Sequence, residues 1–429
     1  MLKRLIFRVI CALALFLPVA PALAGQQPAE PSKREMVRVF VDCDHCDSTY
    51  IRKEVTFIDH VRNREDADVH VLVTLQGTGG GGAQWTLKFI GLGPYQGSDQ
   101  TLVYNSAQAA TSDEIRAGFV EVFKLGLVRY AVNTPIADRL RVTLKKSESD
   151  EKTTPQKDPW NFWVYRVTGS GDLNGEESSK GRSIEGAFSA SRTTDGWRTS
   201  FETRAEYRDN EFVLDEEDGG NGTFLSVSRD MEASGIVVKS LTQHWSLGMM
   251  GSAESQTFRN FILRSRLAPG IEYNFFPYSE STRRMLTVQY TVGYDHHRYR
   301  EVMIYDKLRE DLMDHRAEVG LSLRQPWGSA NAELTFSEYL TEPSKYSVGF
   351  DGGTNVRLFK GFSVEFSGEF SRTRDQIYLR REEASTEEIL LRQRQLATGY
   401  QYSFDFGFSY SFGSIFNNIV NPRFGGGGG

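Results

Sequence analysis

Cysteine is almost absent. The 429 residues contain three, Cys11, Cys43 and Cys46. So few thiols exclude a disulfide-dense scaffold and a four-cysteine zinc site. No stretch approaches eighteen consecutive apolar residues, which excludes a membrane-spanning helix and leaves a closed barrel as the one way to cross a bilayer. An excess of positive charge is also missing: 50 Lys and Arg face 56 Asp and Glu, for a net charge of −6, which argues against nucleic acid as a partner.

What is present begins with a leader. Lys3, Arg4 and Arg8 precede an apolar run from Val9 to Val19, and Ala22-Leu23-Ala24 supplies the small-x-small pattern of a cleavage site. Residues 1–24 therefore read as a secretory signal, with the mature chain starting at Gly25. Without the leader's three basic residues the balance is 47 basic against 56 acidic. Cys11 lies inside the apolar run and not at a cleavage point, so no lipoprotein anchor is expected.

Residues 35–144 read as a small α/β domain of order β-α-β-β-β-α. Met36–Val41 and Asp68–Leu75 are strands, the run Gly79–Gly82 is a hairpin tip, and Gln84–Ile90 and Gln100–Tyr104 are further strands. Asp47-Ser48 caps a first short helix. Ser112-Asp113-Glu114 opens a second, with Ile115, Phe119, Val122, Gly126 and Tyr130 on one stripe and Pro135 ending it. Both helices are expected on one face of an open sheet. Residues 145–158 hold no large apolar side chain and read as a linker.

From residue 159 to 424 the period changes to two. Tyr400 to Phe412 places Tyr400, Tyr402, Phe404, Phe406, Phe408, Tyr410 and Phe412 on one face and Gln401, Ser403, Asp405, Gly407, Ser409 and Ser411 on the other. About twelve such strands begin near residues 160, 181, 197, 223, 245, 262, 283, 314, 329, 345, 362 and 398. Tight turns (194–196, 242–244, 279–282, 326–328, 360–361) alternate with long charged connections (210–222, 299–313, 373–396), the rim asymmetry of a transmembrane barrel. Trp160, Trp163, Trp197, Trp245, Tyr278, Trp327 and Tyr346 crowd strand ends as interfacial girdles do. The fold class expected is therefore membrane all-β: an antiparallel transmembrane barrel of about twelve strands behind a small α/β domain. A soluble sandwich also alternates, but its polar face need not carry bulky mixed charges.

The eight residues Asp405-Phe406-Gly407-Phe408-Ser409-Tyr410-Ser411-Phe412 match the closing strand of bacterial outer-membrane proteins: a polar residue, a glycine two on, then two aromatic or apolar residues separated by one. Residues 159–424 thus resemble substrates of the barrel-assembly machinery, of an uncharacterised type with a periplasmic domain. The resemblance implies that Asp405, Gly407, Tyr410 and Phe412 form an assembly signal, that lipids of the outer membrane and the assembly machinery are partners, and that residues 35–144 lie in the periplasm. Here a tail follows the signal and ends in the glycines 425–429.

Chemistry is sparse. Cys43-Asp44-His45-Cys46 reads as a structural disulfide in an oxidising compartment; a redox pair or half a metal site, completed by His60 or His70, are the alternatives. Asp295-His296-His297 sits at the loop end of a strand, with His296 sharing the parity of Tyr294. Barrel lipid hydrolases use a Ser/His pair on the lipid-facing wall near that rim, yet no serine of that parity stands beside His296 in sequence. The expectation is a rim histidine pair and no catalytic residue, metal or cofactor. The run at Gly79 lacks the Lys-Ser/Thr of a phosphate loop. The barrel's polar face carries Arg198, Glu202, Arg204, Glu206, Arg264, Arg266, Glu272, Glu318, Arg324, Glu333, Asp351, Arg357, Glu365, Glu369 and Asp405. Mixed signs predict a salt-bridged, largely occluded interior, with Arg204–Glu206 and Arg357–Glu365 as example pairs, rather than a selective charged ring. The function expected is a structural or interaction role in the envelope through a periplasmic protein partner. A narrow porin-like channel is the alternative and an outer-membrane lipid hydrolase a distant third.

Overall fold

The computed structural model describes residues 36–143, 158–215, 221–381, 398–419 and 421. The expected leader (1–24), most of the linker (145–157), part of the connection 373–396 and the final glycines lie outside the described residues.

In the α/β region, β1 (Arg38–Asp42), α1 (Ser48–Glu54), β2 (Asp59–His60), β3 (Val69–Gly77), β4 (Ala83–Gly91), β5 (Gln100–Ser106) and α2 (Ser112–Ala131) follow in order. The order matches the sequence reading with one addition, the two-residue β2. The sheet order is β2-β1-β3-β4-β5, with β1 parallel to both β2 and β3 and the other pairs antiparallel. Asp47 caps α1 by accepting from the Tyr50 N–H at 2.8 Å. Thr111 and Glu114 cap α2 reciprocally, and the helix opens at Ser112 as the sequence suggested.

The two helices cover one face of this sheet. Val39, Val69, Val71, Trp85, Leu87 and Phe89 pack there against Ile51, Val55, Phe119, Phe123, Leu127 and Tyr130. Gly126 is required by that contact, because a Cβ would lie 2.1 Å from the Phe89 ring. The buried stripe of α2 runs through Phe123 and Leu127 rather than the expected Val122. The opposite face is buried as well, at Asp42, His70, Leu72 and Thr74.

The second region is a twelve-stranded antiparallel meander: β6 (Trp163–Gly175), β7 (Ser179–Thr193), β8 (Trp197–Asp215), β9 (Asn221–Ser240), β10 (Trp245–Gln256), β11 (Phe261–Asn274), β12 (Arg284–Tyr299), β13 (Arg309–Gln325), β14 (Gly328–Tyr339), β15 (Glu342–Phe359), β16 (Phe362–Thr373) and β17 (Tyr400–Tyr410). Count and direction agree with the sequence reading, and strand starts fall within a few residues of it. Closure does not. β6 and β17 are the two edges of the sheet and no ladder joins them among the described residues, so their outer N–H and C=O groups stay open to solvent. Water can satisfy such groups where hydrocarbon cannot.

The rims also need correction. The 210–222 stretch is not a long loop: the β8–β9 ladder continues out to Asp215 and Asn221. On that side the connections after β6, β10 and β14 are short, so the asymmetry rests on residues 300–308 and the 374–399 connection. Throughout the sheet the apolar face is the exposed one. Leu267, Tyr290, Phe350, Phe366 and the aromatic row of β17 are all exposed.

Candidate functional site: a polar face covered at both rims

The short-turn rim is covered by the second face of the α/β sheet. Asp42 at the end of β1 accepts two hydrogen bonds from the Arg357 guanidinium, at 2.6 and 2.7 Å, and a third contact from His70 Nε2 at 3.1 Å. The guanidinium stands over the Phe40 ring, 5.3 Å from its centroid. Burial opposes ionisation of Asp42, but the hydrogen bonds and charges of Arg357 and His70 outweigh it and hold the carboxyl well below the usual carboxylate range. Lys360 adds an ion pair to Asp66 at 2.7 Å, and Arg324 another to Asp44. Gly79 fits directly against Thr193 at the end of β7, where a Cβ would come within 2.6 Å of the threonine Cβ.

The segment after β17 completes this contact. Val61 and Phe416 form an antiparallel bridge. The Arg62 N–H donates to Ile415 O at 3.0 Å, the Asn417 N–H to His60 O at 2.8 Å, and the His60 N–H to Asn418 Oδ1 at 2.6 Å. The tail thus adds a short strand to the free edge of β2. His60 itself is buried, with Nε2 2.9 Å from Val55 O; burial, aided by the nearby Arg52 charge, lowers its pKa from the ordinary 6.5. β17 ends at Tyr410, and Phe412, in the expected assembly signal, lies beyond the ladder with 78 % of its surface exposed.

The other rim is covered by residues 300–308 and 374–381. Met303 and Arg380 form a bridge, and the Ile304 N–H donates to Leu379 O at 2.9 Å. Asn260, in the left-handed region at φ 65°, ties both segments together. Its amide nitrogen donates to Glu301 O at 3.0 Å and to Tyr378 O at 3.3 Å. Phe261, Tyr299, Met303, Leu312, Tyr339 and Ile377 form a buried apolar layer there.

Directly beneath this layer sits a charged network. Arg264 pairs with Asp295 at 2.9 Å and Glu254 at 3.2 Å, and Arg266 pairs with Asp314 at 3.0 Å. His297 bridges Asp295 at 2.9 Å and the Tyr299 hydroxyl at 2.9 Å, and that hydroxyl donates to Glu310 at 2.6 Å. Asp295 and His297 were expected only as part of a rim histidine site, and Asp314, Tyr299 and Glu310 were not singled out; the parity of β12 and β13 puts all five on the polar face and was the signal available.

The remaining polar-face charges divide. Arg204 contacts Glu185 at 2.5 Å and Glu206 at 4.0 Å, and Glu272 accepts from Tyr278 at 2.5 Å. Arg198 and Glu202 are exposed. Arg357 does not meet Glu365: its cross-strand neighbour is Ser363, and its head group leaves the sheet for Asp42. Glu365, Glu369 and Asp405 have no ion-pair partner among the described residues. Glu333, Asp351 and Glu369 lie opposite one another on β14, β15 and β16. The expected mixture of signs and its ion pairs thus hold from β8 to β13, while these acids of β14 to β17 lie together without ion-pair partners among the described residues. A polar cavity of about 760 Å³ remains beside Arg204, Glu206, Arg208, Asp230 and Glu232.

Cys43 and Cys46 are joined as a disulfide with Cα atoms 5.6 Å apart, and no group of three or more His, Cys, Asp or Glu able to hold a metal occurs among the described residues. The two rim histidines part: His297 is buried on the polar face, while His296 is on the apolar face with Nδ1 2.6 Å from Asp311 Oδ1. Cross-strand register places Ser265 opposite His296, a neighbour that sequence order alone did not show.

Residues 175–376 match the family described as protein of unknown function, DUF481. No curated protein matches the chain. Among solved structures the chain is similar to the NanC porin, with 10 % identity, a TM-score of 0.27, and coverage of 57 % of this chain and 99 % of that one. It is also similar to the beta domain of the Bordetella autotransporter Brka, with 14 % identity, a TM-score of 0.25, and coverage of 58 % and 98 %.

Proposed function

We propose that this chain is an outer-membrane barrel protein whose lumen is shut at both rims, and that it serves the envelope through its periplasmic domain rather than as an open pore. The apolar face of the twelve strands faces lipid and the polar face lines the lumen. No described helix is long and apolar enough to cross a membrane, so the strands do the crossing. β6 and β17 pair in the bilayer, because unpaired edges are not tolerated in hydrocarbon. The closing strand with Gly407 and Tyr410 is read by the barrel-assembly machinery, and the α/β domain stays in the periplasm, where β5 and the exposed surface of α2 are available to a protein partner.

The observation that carries this reading is the bidentate Asp42–Arg357 contact, which fastens the domain across the lumen mouth. The test is single-channel recording of the purified full chain in a planar bilayer. Low or absent steady current is expected; large, stable steps from the wild type would sink the closed reading. The second reading, a narrow channel, draws on the unpaired acids Glu333, Asp351 and Glu369 and on the 760 Å³ cavity. It predicts cation-selective current once the domain is displaced.

A further inference from the structure

The apolar face of β11–β13 carries polar side chains that the lumen reading does not use, and one set of them forms a row across all three strands. In an antiparallel ladder, directly opposed residues share a face with Cβ atoms about 5 Å apart. Ser265 on β11 is opposed to His296 on β12, and His296 to Asp311 on β13. A serine, an imidazole and a carboxylate therefore stand in one row across three strands. His296 Nδ1 is 2.6 Å from Asp311 Oδ1, and the Tyr294 hydroxyl donates to the same oxygen at 2.7 Å. The carboxylate fixes the ring through Nδ1 and leaves Nε2 to act as a base. No hydrogen bond joins Ser265 to His296; nucleophile–base contacts are often long before the Michaelis complex forms.

The surroundings suit a lipid. Leu263, Leu267 and Met313 on the same face are exposed apolar side chains able to lie along an acyl chain. One step toward the rim, Arg298 directly opposes Arg309, and both are exposed. Like charges so placed destabilise a ladder unless an anion lies between them. Neither has an ion-pair partner among the described residues, and a phosphate would serve both.

The geometry points to a serine esterase site on the lipid-facing wall, with Ser265 as nucleophile, His296 as general base, Asp311 as the positioning residue, and an anionic glycerophospholipid as substrate. Ser265 Oγ attacks the acyl carbonyl carbon and its proton passes to His296 Nε2. The ester C–O bond breaks, and His296 returns the proton to the departing alcohol, a lysophospholipid. Water, deprotonated by His296, then cleaves the acyl-serine, releasing a fatty acid and restoring the hydroxyl. Arg298 and Arg309 hold the headgroup phosphate. The inference rests on the outer-membrane reading, since it needs this face to meet lipid.

The test uses full-length protein purified from outer membranes. A fluorophosphonate probe should label Ser265, as mapped by peptide mass spectrometry, and fatty acid should be released from detergent micelles containing phosphatidylglycerol. Ser265→Ala should abolish both. His296→Gln should slow release by about 100-fold or more, the usual span of general-base catalysis. Asp311→Asn should lower kcat and displace the pH profile, and Arg298→Gln with Arg309→Gln should raise KM for phosphatidylglycerol but not phosphatidylcholine. A wild type that shows the heat-dependent gel mobility of an assembled barrel, yet neither labels at Ser265 nor releases fatty acid, overturns the site and leaves the membrane reading standing. A wild type without that mobility overturns the membrane reading and the site with it.

Discussion

Arg357 and Asp42 are separated by 315 positions in the chain and joined by two hydrogen bonds of 2.6 and 2.7 Å. The arginine sits near the end of a barrel strand; the aspartate ends the first strand of the domain. A fork-to-fork pair of this kind fixes orientation as well as distance, so the domain is held against the end of β15 in one pose.

Breaking that pair should loosen the domain from the sheet. Asp42→Asn leaves a half-buried guanidinium without its counter-charge, a loss of about 1–2 kcal/mol once solvent screening is allowed for. Calorimetry should show the domain's transition lowered, and planar-bilayer recording should show current absent from the wild type. Unchanged stability together with unchanged conductance would argue that the mouth is held shut by other contacts.

The docked state should be sensitive to acid in two windows. The Asp42 carboxyl has a depressed pKa when docked, so its contribution is complete above the ordinary carboxylate range and is lost as pH falls through that range. His60 also has a depressed pKa, because it is buried neutral; its contribution is complete above the ordinary 6.5 and is lost as pH falls below it. Melting curves from pH 8 down to roughly pH 2 should therefore fall in two stages, the lower one below about pH 4, and His60→Gln should erase the upper one alone.

The tail strand can be tested separately. Asn417→Pro removes the N–H that donates to His60 O, a loss of about 1 kcal/mol in a partly buried ladder. Hydrogen exchange at the Arg62 amide, which donates to Ile415 O, should accelerate about fivefold. Equal protection in both proteins would show that the tail is not what shields β2.

The disulfide should matter little to stability. Cys43 and Cys46 are three positions apart and close a very small loop, so Cys43→Ser with Cys46→Ser should cost about 2 kcal/mol or less. Asp44 lies inside that loop and pairs with Arg324, so the double variant should also weaken docking, read as faster proteolysis between the domain and the barrel.

Assembly gives the fifth test. Gly407 lies opposite Glu365, facing the lumen of the closing strand. Gly407→Arg with Phe412→Ala should sharply reduce outer-membrane levels while residues 35–144 expressed alone stay soluble. Wild-type protein should run faster on gels unheated than boiled; identical mobility together with recovery in the soluble fraction would overturn the barrel.

Much of the fold was legible because a strand announces itself by a period of two. Phe362–Phe370 and Tyr400–Phe412 could be read directly, and so could the helix opened by Ser112-Asp113-Glu114. The β8–β9 extension was not legible, because Asp215-Glu216-Glu217-Asp218-Gly219-Gly220 reads as the middle of a charged loop, while the ladder runs out to Asp215 and Asn221 on either side of it. Register was beyond reach: no sequence pattern says that Ser265 faces His296, or that Arg357 turns away from Glu365 toward a domain more than three hundred residues earlier. The buried Asp295–His297–Tyr299 row could have been found from parity alone, had the lumen been read strand by strand and not as a tally of charges.

The short strand from Ile415 to Asn418 also fixes an order of events. It closes an edge of a sheet whose other strands are all made before residue 107. The domain is synthesised first, yet β2 stays open until the last barrel strand has been threaded and the chain beyond it returns. Until then that edge is free for a chaperone or for a neighbouring chain, and its occupation by the protein's own terminus marks a molecule in which every strand is already in place.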